Sequence, residues 1–188
     1  MNSLQTDRRV RRTKALLLKG LISLMETKDV KDISVKELAD LADINRSTFY
    51  LHYNDIYDML NQIENELFVE FNDILDRTIC REDKPVSAQT TLFEIFSFLD
   101  RHREVARTIM GPHGDLSFVN RMNDLVKERI RDHLNSNQSH GDYIYVEAFV
   151  VSGCIGVIES WLNHPNPQSP EKISTMCSDL LTKGSFLL

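Results

Sequence analysis

The amino-acid sequence predicts an all-α protein, and three observations support that fold class. Apolar residues recur at intervals of three and four in almost every long segment, as they do in amphipathic helices. No segment alternates apolar and polar residues with the period of two that half-buried strands require. The prolines fall between the periodic segments, and no internal repeat is found. We expect a small N-terminal helical domain followed by a larger helical one.

The first predicted helix runs from about Thr13 to Glu26, with Lys14 and Lys19 pointing outward. Its apolar positions are Leu17, Leu18, Leu21, Leu24 and Met25. A polar link follows and ends at Ser34. This helix should brace whatever follows that link.

The second predicted helix begins at Ser34. The Ser34 hydroxyl can accept hydrogen bonds from the free backbone N–H groups of the first turn, while Glu37 reaches back, which is a capping box. An apolar stripe then repeats at helical spacing, formed by Val35, Leu38, Ala39 and Ala42. The small Ala39 lets another helix approach closely.

A tight turn and a third helix complete the first domain. Asp43 stands where the chain must reverse and is expected to take a left-handed conformation, and Asn45 is a favourable N-cap. Phe49 and Tyr53 are four residues apart and should face inward. The outward face then carries Arg46, Ser47 and Tyr50, which offer the hydrogen-bonding groups that a DNA major groove would meet.

This helix pair, with the run Ser47 to Tyr53 reading STFYLHY, resembles the TetR family of one-component transcriptional regulators. The resemblance implies base-edge contacts from the third helix and from Lys36 on the second, and phosphate contacts from Thr48 and His52. The expected DNA-binding residues are Lys36, Asn45, Arg46, Ser47, Thr48, Tyr50 and His52. Two positions depart from the family pattern: Asp43 replaces the usual glycine, and Ile56 stands where a phosphate-binding lysine is common. Because isoleucine cannot bind phosphate, we expect the N-terminal arm to supply this phosphate contact instead.

The second domain should begin with a long helix after the Asn54-Asp55 cap, giving domains of residues 1–53 and 54–188. Apolar positions mark this helix from Ile56 to Leu75, and such length would let it transmit movement between the domains. Further helices are predicted over Thr91–Arg101, Val105–Met110 and from about Asp115 to Leu134. Polar or proline-containing segments separate them.

The last two predicted helices are Tyr143–Leu162 and Pro170–Leu187. Tyr143–Leu162 has only Glu147 as a charge before Glu159, so we expect it to be buried nearly all round, with Gly153 and Gly156 allowing close packing. The sequences GCIGVIESWL and SPEKI also resemble one C-terminal class of the TetR family. That resemblance implies a homodimer formed through these two helices.

Charge is distributed unevenly along the chain. Residues 1–53 hold ten Lys and Arg against seven Asp and Glu, a net charge of +3. The net charge of the whole chain is −6, so residues 54–188 carry −9. The basic residues of the first twenty positions favour either a phosphate-binding arm or a solvated tail.

No apolar run has the length of a membrane span and no signal peptide is recognised, so we expect a cytoplasmic protein. The three cysteines lack metal-ligand spacing and are assigned no role.

Catalytic motifs are not found. The sequence contains no glycine-rich phosphate loop, GxSxG, HExxH or paired-cysteine motif, so we predict neither an enzyme, nor a cofactor, nor a metal site.

An apolar effector pocket is one interpretation of several large side chains, and a plain core is the other; the residues are Phe93, Phe96, Met110, Phe118, Met122 and Trp161. We predict a dimeric, sequence-specific DNA-binding regulator, a repressor released by a small apolar effector. The alternative is a protein-binding coactivator or interaction module with the same fold.

Overall fold

The computed structural model describes residues 3–79, 86–135 and 143–183, and all regular elements over these ranges are helical. The α-helices are α1 (Ser3–Met25), α2 (Val35–Leu41), α3 (Arg46–Phe49), α4 (Ile56–Thr78), α5 (Ala88–Arg101), α6 (Arg103–Ile109), α7 (Leu116–Asn135), α8 (Tyr143–Asn163) and α9 (Pro170–Lys183). One turn of 3-10 helix, Val30–Asp32, lies between α1 and α2. The all-α prediction is confirmed. The predicted end of the last helix, residues 184–187, and most of the two predicted loops at 80–89 and 135–142 lie outside the described residues.

The chain divides into two compact units. The first comprises Met1–Glu66 and Thr108–Asp115, and the second Leu67–Arg107 and Leu116–Leu188. Residues of α4 therefore belong to both units. The functional division between residues 1–53 and 54–188 stays a prediction, because compactness does not show which residues bind DNA.

The first unit is built around one apolar core. Its buried members are Leu17, Leu21, Met25, Ile33, Leu38, Ala42, Phe49, Tyr53, Ile56, Met59 and Leu60. Helices α1 and α2 approach closely at Gly20, where an added Cβ would lie 2.9 Å from Leu38 Cδ1. These contacts position α2 against α1, and α3 packs against α2.

Residues Thr108–Asp115 join the first unit although they are distant from it in sequence. His113 Nδ1 lies 2.7 Å from Asp29 Oδ1, just before the 3-10 turn. The His113 hydrogen bond, followed by that from Lys31, lowers the pKa of Asp29. A Cβ on Gly114 would lie 1.8 Å from the Ile109 carbonyl oxygen, so this tight turn requires glycine.

In the second unit, α5 packs along α9 and α7 against α8. The end of α8 is fixed by Arg103, whose Nη1 donates to the carbonyl oxygens of Trp161 (3.3 Å) and Leu162 (3.4 Å). Its guanidinium carbon also lies 3.9 Å from the Trp161 ring centroid. A cation at a helix C-terminus interacts favourably with the helix dipole.

The prediction that α8 is buried nearly all round is wrong for the single chain. Ile144, Tyr145 and Phe149 are 72%, 76% and 71% exposed, while Val151 and Trp161 are buried. By length and composition alone, the segment Ile144–Asn163 is apolar enough to cross a membrane, and 17% of it is buried. Composition reveals an apolar helix but not whether its own chain or another surface covers it.

Helix α1 begins ten residues earlier than predicted, at Ser3. The segment before Thr13 carries few apolar residues, so hydrophobic periodicity gives no helical signal there. It also lacks glycine and proline, and arginine has high helix propensity, so α1 extends through the basic residues.

Candidate nucleic-acid interface

The start of α2 is fixed by the predicted cap. Ser34 Oγ accepts a hydrogen bond from Glu37 N at 3.1 Å. The Glu37 carboxylate, however, pairs with Lys28 Nζ, which ties the segment after α1 to the first turn of α2. Lys36, the predicted base-contacting residue of α2, is exposed.

The turn between α2 and α3 has the left-handed residue that the sequence predicts. Asp43 has a φ of 53°, the one positive value at a non-glycine residue among those described. Aspartate tolerates this conformation better than most residues. Ile44 N then donates to Ala39 O at 2.9 Å, and Ile44 packs against the core of the first unit. The departure from glycine therefore leaves the helix-turn-helix geometry intact.

Helix α3 is held at its start by Asn45. Asn45 Oδ1 accepts from Ser47 N at 2.9 Å and from Ser47 Oγ at 2.8 Å. Because Asn45 Oδ1 already accepts two hydrogen bonds, the side-chain amide nitrogen of Asn45 is the group that can still donate a hydrogen bond to a partner. Since Ser47 Oγ uses its proton in this bond, it is left to act as an acceptor.

The inner side of α3 is fixed by aromatic packing. Phe49 is fully buried, with its ring centroid 5.5 Å from that of Tyr50 and 5.6 Å from that of Tyr53. Hydrogen bonds from Tyr50 N to Arg46 O (3.1 Å) and from Tyr53 N to Phe49 O (3.0 Å) continue the helical turn beyond Phe49. Burial raises the pKa of the Tyr53 phenol above its ordinary value.

The outer side of α3 carries the predicted reading residues. Arg46, Ser47 and Tyr50 are exposed, as is Asn45. Their predicted orientation is confirmed. They present a guanidinium fork, a hydroxyl acceptor and a phenol on one side of the helix, while Thr48 and His52 are half-buried beside them. Guanidinium and phenol groups can hydrogen-bond base edges, and the half-buried pair can reach phosphates. Their contacts with DNA stay a prediction.

The basic face of α1 adds positive charge to the same unit. Its exposed arginines are Arg8, Arg9, Arg11 and Arg12. Lys14 Nζ lies 5.5 Å from the Tyr53 ring centroid, so α1 passes close to the turn that follows α3. Ile56 is 4% exposed and packs in the core, so no phosphate contact comes from the position where lysine is common. Phosphate contacts from α1, in addition to those expected from Thr48 and His52, stay a prediction.

Of the six predicted effector residues, Met110 belongs to the first unit and the other five to the second. Phe96 and Trp161 are buried with ring centroids 5.2 Å apart. Phe118 is buried, and Phe93, Met110 and Met122 are half-buried. A groove of about 500 Å³ in the second unit is lined by other residues, namely Phe68, Ser117, Asn120, Arg121, Asp124, Leu125 and Glu128. The effector site stays a prediction.

Sequence reasoning gave no role to Leu51, which directly follows the reading residues. Its side chain is 78% exposed. Its spacing of four residues from Ser47 was the available signal, since positions four apart share one face of a helix. Among the residues that the structure describes, no cluster of three or more histidine, cysteine or acidic side chains is placed to hold a metal ion.

Comparisons with known proteins agree with this geometry. A TetR-type family model described as the C-terminal region of transcriptional regulators matches residues 86–183. An uncharacterized HTH-type transcriptional regulator of Bacillus subtilis, YxbF, is 25% identical over 184 residues, which cover 92% of this chain and 45% of that protein. The chain thus spans about half the length of this relative.

Two solved structures have a similar fold. A TetR transcriptional regulator from Streptococcus agalactiae has a TM-score of 0.59 at 21% identity, covering 96% of this chain and 99% of that one. The regulator FadR from Bacillus subtilis, in complex with stearoyl-CoA, has a TM-score of 0.61 at 15% identity, covering 92% and 99%. At these identities the likeness supports the fold.

Proposed function

The chain belongs to the TetR family of transcriptional regulators, and we propose that it is a homodimeric, sequence-specific DNA-binding repressor. The observation that supports this most directly is the orientation of α3. Phe49 and Tyr53 anchor its inner side in the core, which leaves Arg46 and Tyr50 exposed with Ser47 beside them. The family is one of regulators and not of enzymes.

The proposed dimer uses α8 and α9. One stripe of exposed positions runs along α8 and consists of Tyr145, Phe149, Ser152, Gly153, Gly156 and Ser160. A Cβ on Gly153 or Gly156 would have nothing within 4 Å in the same chain, so the space that these glycines leave is available to a second copy. On α9, the apolar residues Met176 and Leu180 are exposed. Two copies would present two reading helices, as a palindromic operator requires.

We expect the apolar side of α8 to be covered by a second copy of the chain and not by lipid. Val151, Trp161 and Leu162 are buried within the chain, and buried Glu147 pairs with Arg131 at 3.2 Å. These contacts hold the opposite side of α8 to its own unit. The cytoplasmic, membrane-free state expected from the sequence is part of this proposal.

The dimer is tested by Gly153→Leu. Leucine should remove the glycine's space and shift the protein to monomer in light scattering at micromolar concentration, with its helical content retained. Asp73→Leu, which adds an exposed leucine on α4, is the matched control and should leave the dimer intact. A wild-type monomer, or a Gly153→Leu dimer of unchanged affinity, contradicts this interface.

We also propose release of the operator by a small, largely neutral effector. Regulation requires that the effector bind one conformation of the dimer better than the other, because equal affinity shifts no equilibrium. The aromatic residues Phe93, Phe96 and Trp161 of the second unit are the proposed contacts. Operator affinity should therefore fall in the presence of at least one compound from a panel of neutral apolar molecules. No change with any compound, together with capture of a protein by the second unit, would favour the interaction-module alternative.

DNA binding itself is tested by selecting fragments of the source genome on the immobilised protein and sequencing those retained. We expect a small set sharing a palindromic site. Titrating the affinity for that site against salt should give a steep log–log slope, since each neutralised phosphate contributes about −0.9. Retention of fragments without a shared site, or a flat slope, contradicts the proposal.

A further inference from the structure

Leu51 is exposed to an unusual extent for a leucine next to a packed core. Its side chain is 78% exposed, more than any other large hydrophobic residue described, although Phe49 and Tyr53 on either side of it are buried. The backbone is held in place, because Leu51 N donates to Thr48 O at 3.3 Å and Tyr53 N to Phe49 O at 3.0 Å. The exposure is therefore fixed by the fold.

Leu51 lies in the turn that follows α3, directly after the exposed Tyr50. Residues four apart in a helix share one face, and although Leu51 N bonds to Thr48 O and not to Ser47 O, this spacing still turns its side chain toward the side of Ser47 and Tyr50. Arg46, Ser47, Tyr50 and Leu51 are all exposed. The first three offer polar groups, and Leu51 is the apolar member of the set.

We propose that Leu51 contacts the C5-methyl group of a thymine in the operator and specifies that base. Thymine is the base that presents a methyl group in the major groove, and apolar side chains read it by direct contact. Cytosine has only a hydrogen atom at that carbon, so the leucine would meet no methyl group there. This inference rests on the proposed function, since it assumes that α3 enters the major groove.

The contact can be measured by replacing single operator thymines with deoxyuridine, which lacks the methyl group but keeps the base-pairing atoms. Burial of one methyl-sized group corresponds to about a fourfold change in affinity. We expect one thymine in each half-site at which deoxyuridine weakens binding by about that factor per half-site. Leu51→Ala should weaken binding to the unmodified operator, and in this variant deoxyuridine at that position should cause no further loss.

Two controls separate the possible outcomes. Leu116→Ala removes a comparably exposed leucine (72%) from α7 and should leave both affinity and the deoxyuridine effect unchanged. Thermal unfolding of Leu51→Ala should match wild type, because the side chain lies outside the core. If Leu51→Ala weakens binding while deoxyuridine has no effect at any position, or the same effect in both proteins, Leu51 packs on the sugar-phosphate backbone and the inference is overturned. Failure of wild type to retain a specific DNA site would instead refute the proposed function.

Discussion

Replacing Phe49 with alanine should unfold the first unit. The ring is 0% exposed and contacts the rings of Tyr50 and Tyr53. Truncation of a buried phenylalanine costs about 3–5 kcal/mol of unfolding free energy. The two ring contacts favour the upper half of this range, because an aromatic pair contributes about 0.5–1.5 kcal/mol beyond area burial. A loss of about 4–5 kcal/mol removes most of the stability of a domain at the low end of the usual range of about 5–15 kcal/mol, so a substantial fraction of such a domain would be unfolded.

The assay is urea unfolding followed by two probes. Trp161, the single tryptophan, lies in the second unit, so its fluorescence reports that unit, whereas far-UV circular dichroism reports all helices. Phe49→Ala should lose part of the dichroism at low urea, with the fluorescence transition little changed. Tyr50→Ala, at the neighbouring and 58% exposed position, is the matched control and should cost no more than about 1.5 kcal/mol, the contribution of its ring contact with Phe49. Equal stability of the two variants would refute the orientation of α3.

Three other changes have clear expected results. Gly20→Leu should destabilise the first unit by about 1–3 kcal/mol in urea unfolding, because Leu38 leaves no room for the new side chain. Burial raises the pKa of Glu70, but hydrogen bonds from its arginine and histidine partners outweigh burial and lower it overall. Its contribution to stability is therefore present above the unfolded pKa and lost as pH falls through the folded pKa, so Glu70→Gln should flatten the acid side of the stability profile. Burial, followed by the neighbouring Cys154, raises the pKa of Cys177 to about 11, so this thiol should react with alkylating reagents at neutral pH only after unfolding.

Local signals in the sequence were sufficient for the helix-turn-helix. Ser34 and Asn45 cap their helices as predicted, and Asp43 takes the left-handed conformation. These features depend on contacts between residues at most five apart, which a single sequence reveals. The spacing of Phe49 and Tyr53 likewise predicted which side of α3 is buried.

Features that depend on distant residues could not be predicted. The pairing of His113 with Asp29 joins positions 84 residues apart and has no local signature. Apolar composition predicted burial of α8, yet exposed Tyr145 and Phe149 show that its own chain covers only one side. Periodicity alone does not identify the surface against which a helix packs. The same limit applies to the effector residues, since large apolar side chains form cores and pockets alike.

The most direct test of the account is the affinity of the protein for its own operator when the outward residues of α3 are removed. Arg46→Ala and Tyr50→Ala should each cost about 1–3 kcal/mol of specific binding, roughly 5- to 150-fold in affinity, with thermal stability nearly unchanged. Lys172→Ala on α9 removes an exposed charge of the second unit and should have little effect. Wild-type affinity in both α3 variants would contradict the assignment of this surface to DNA reading.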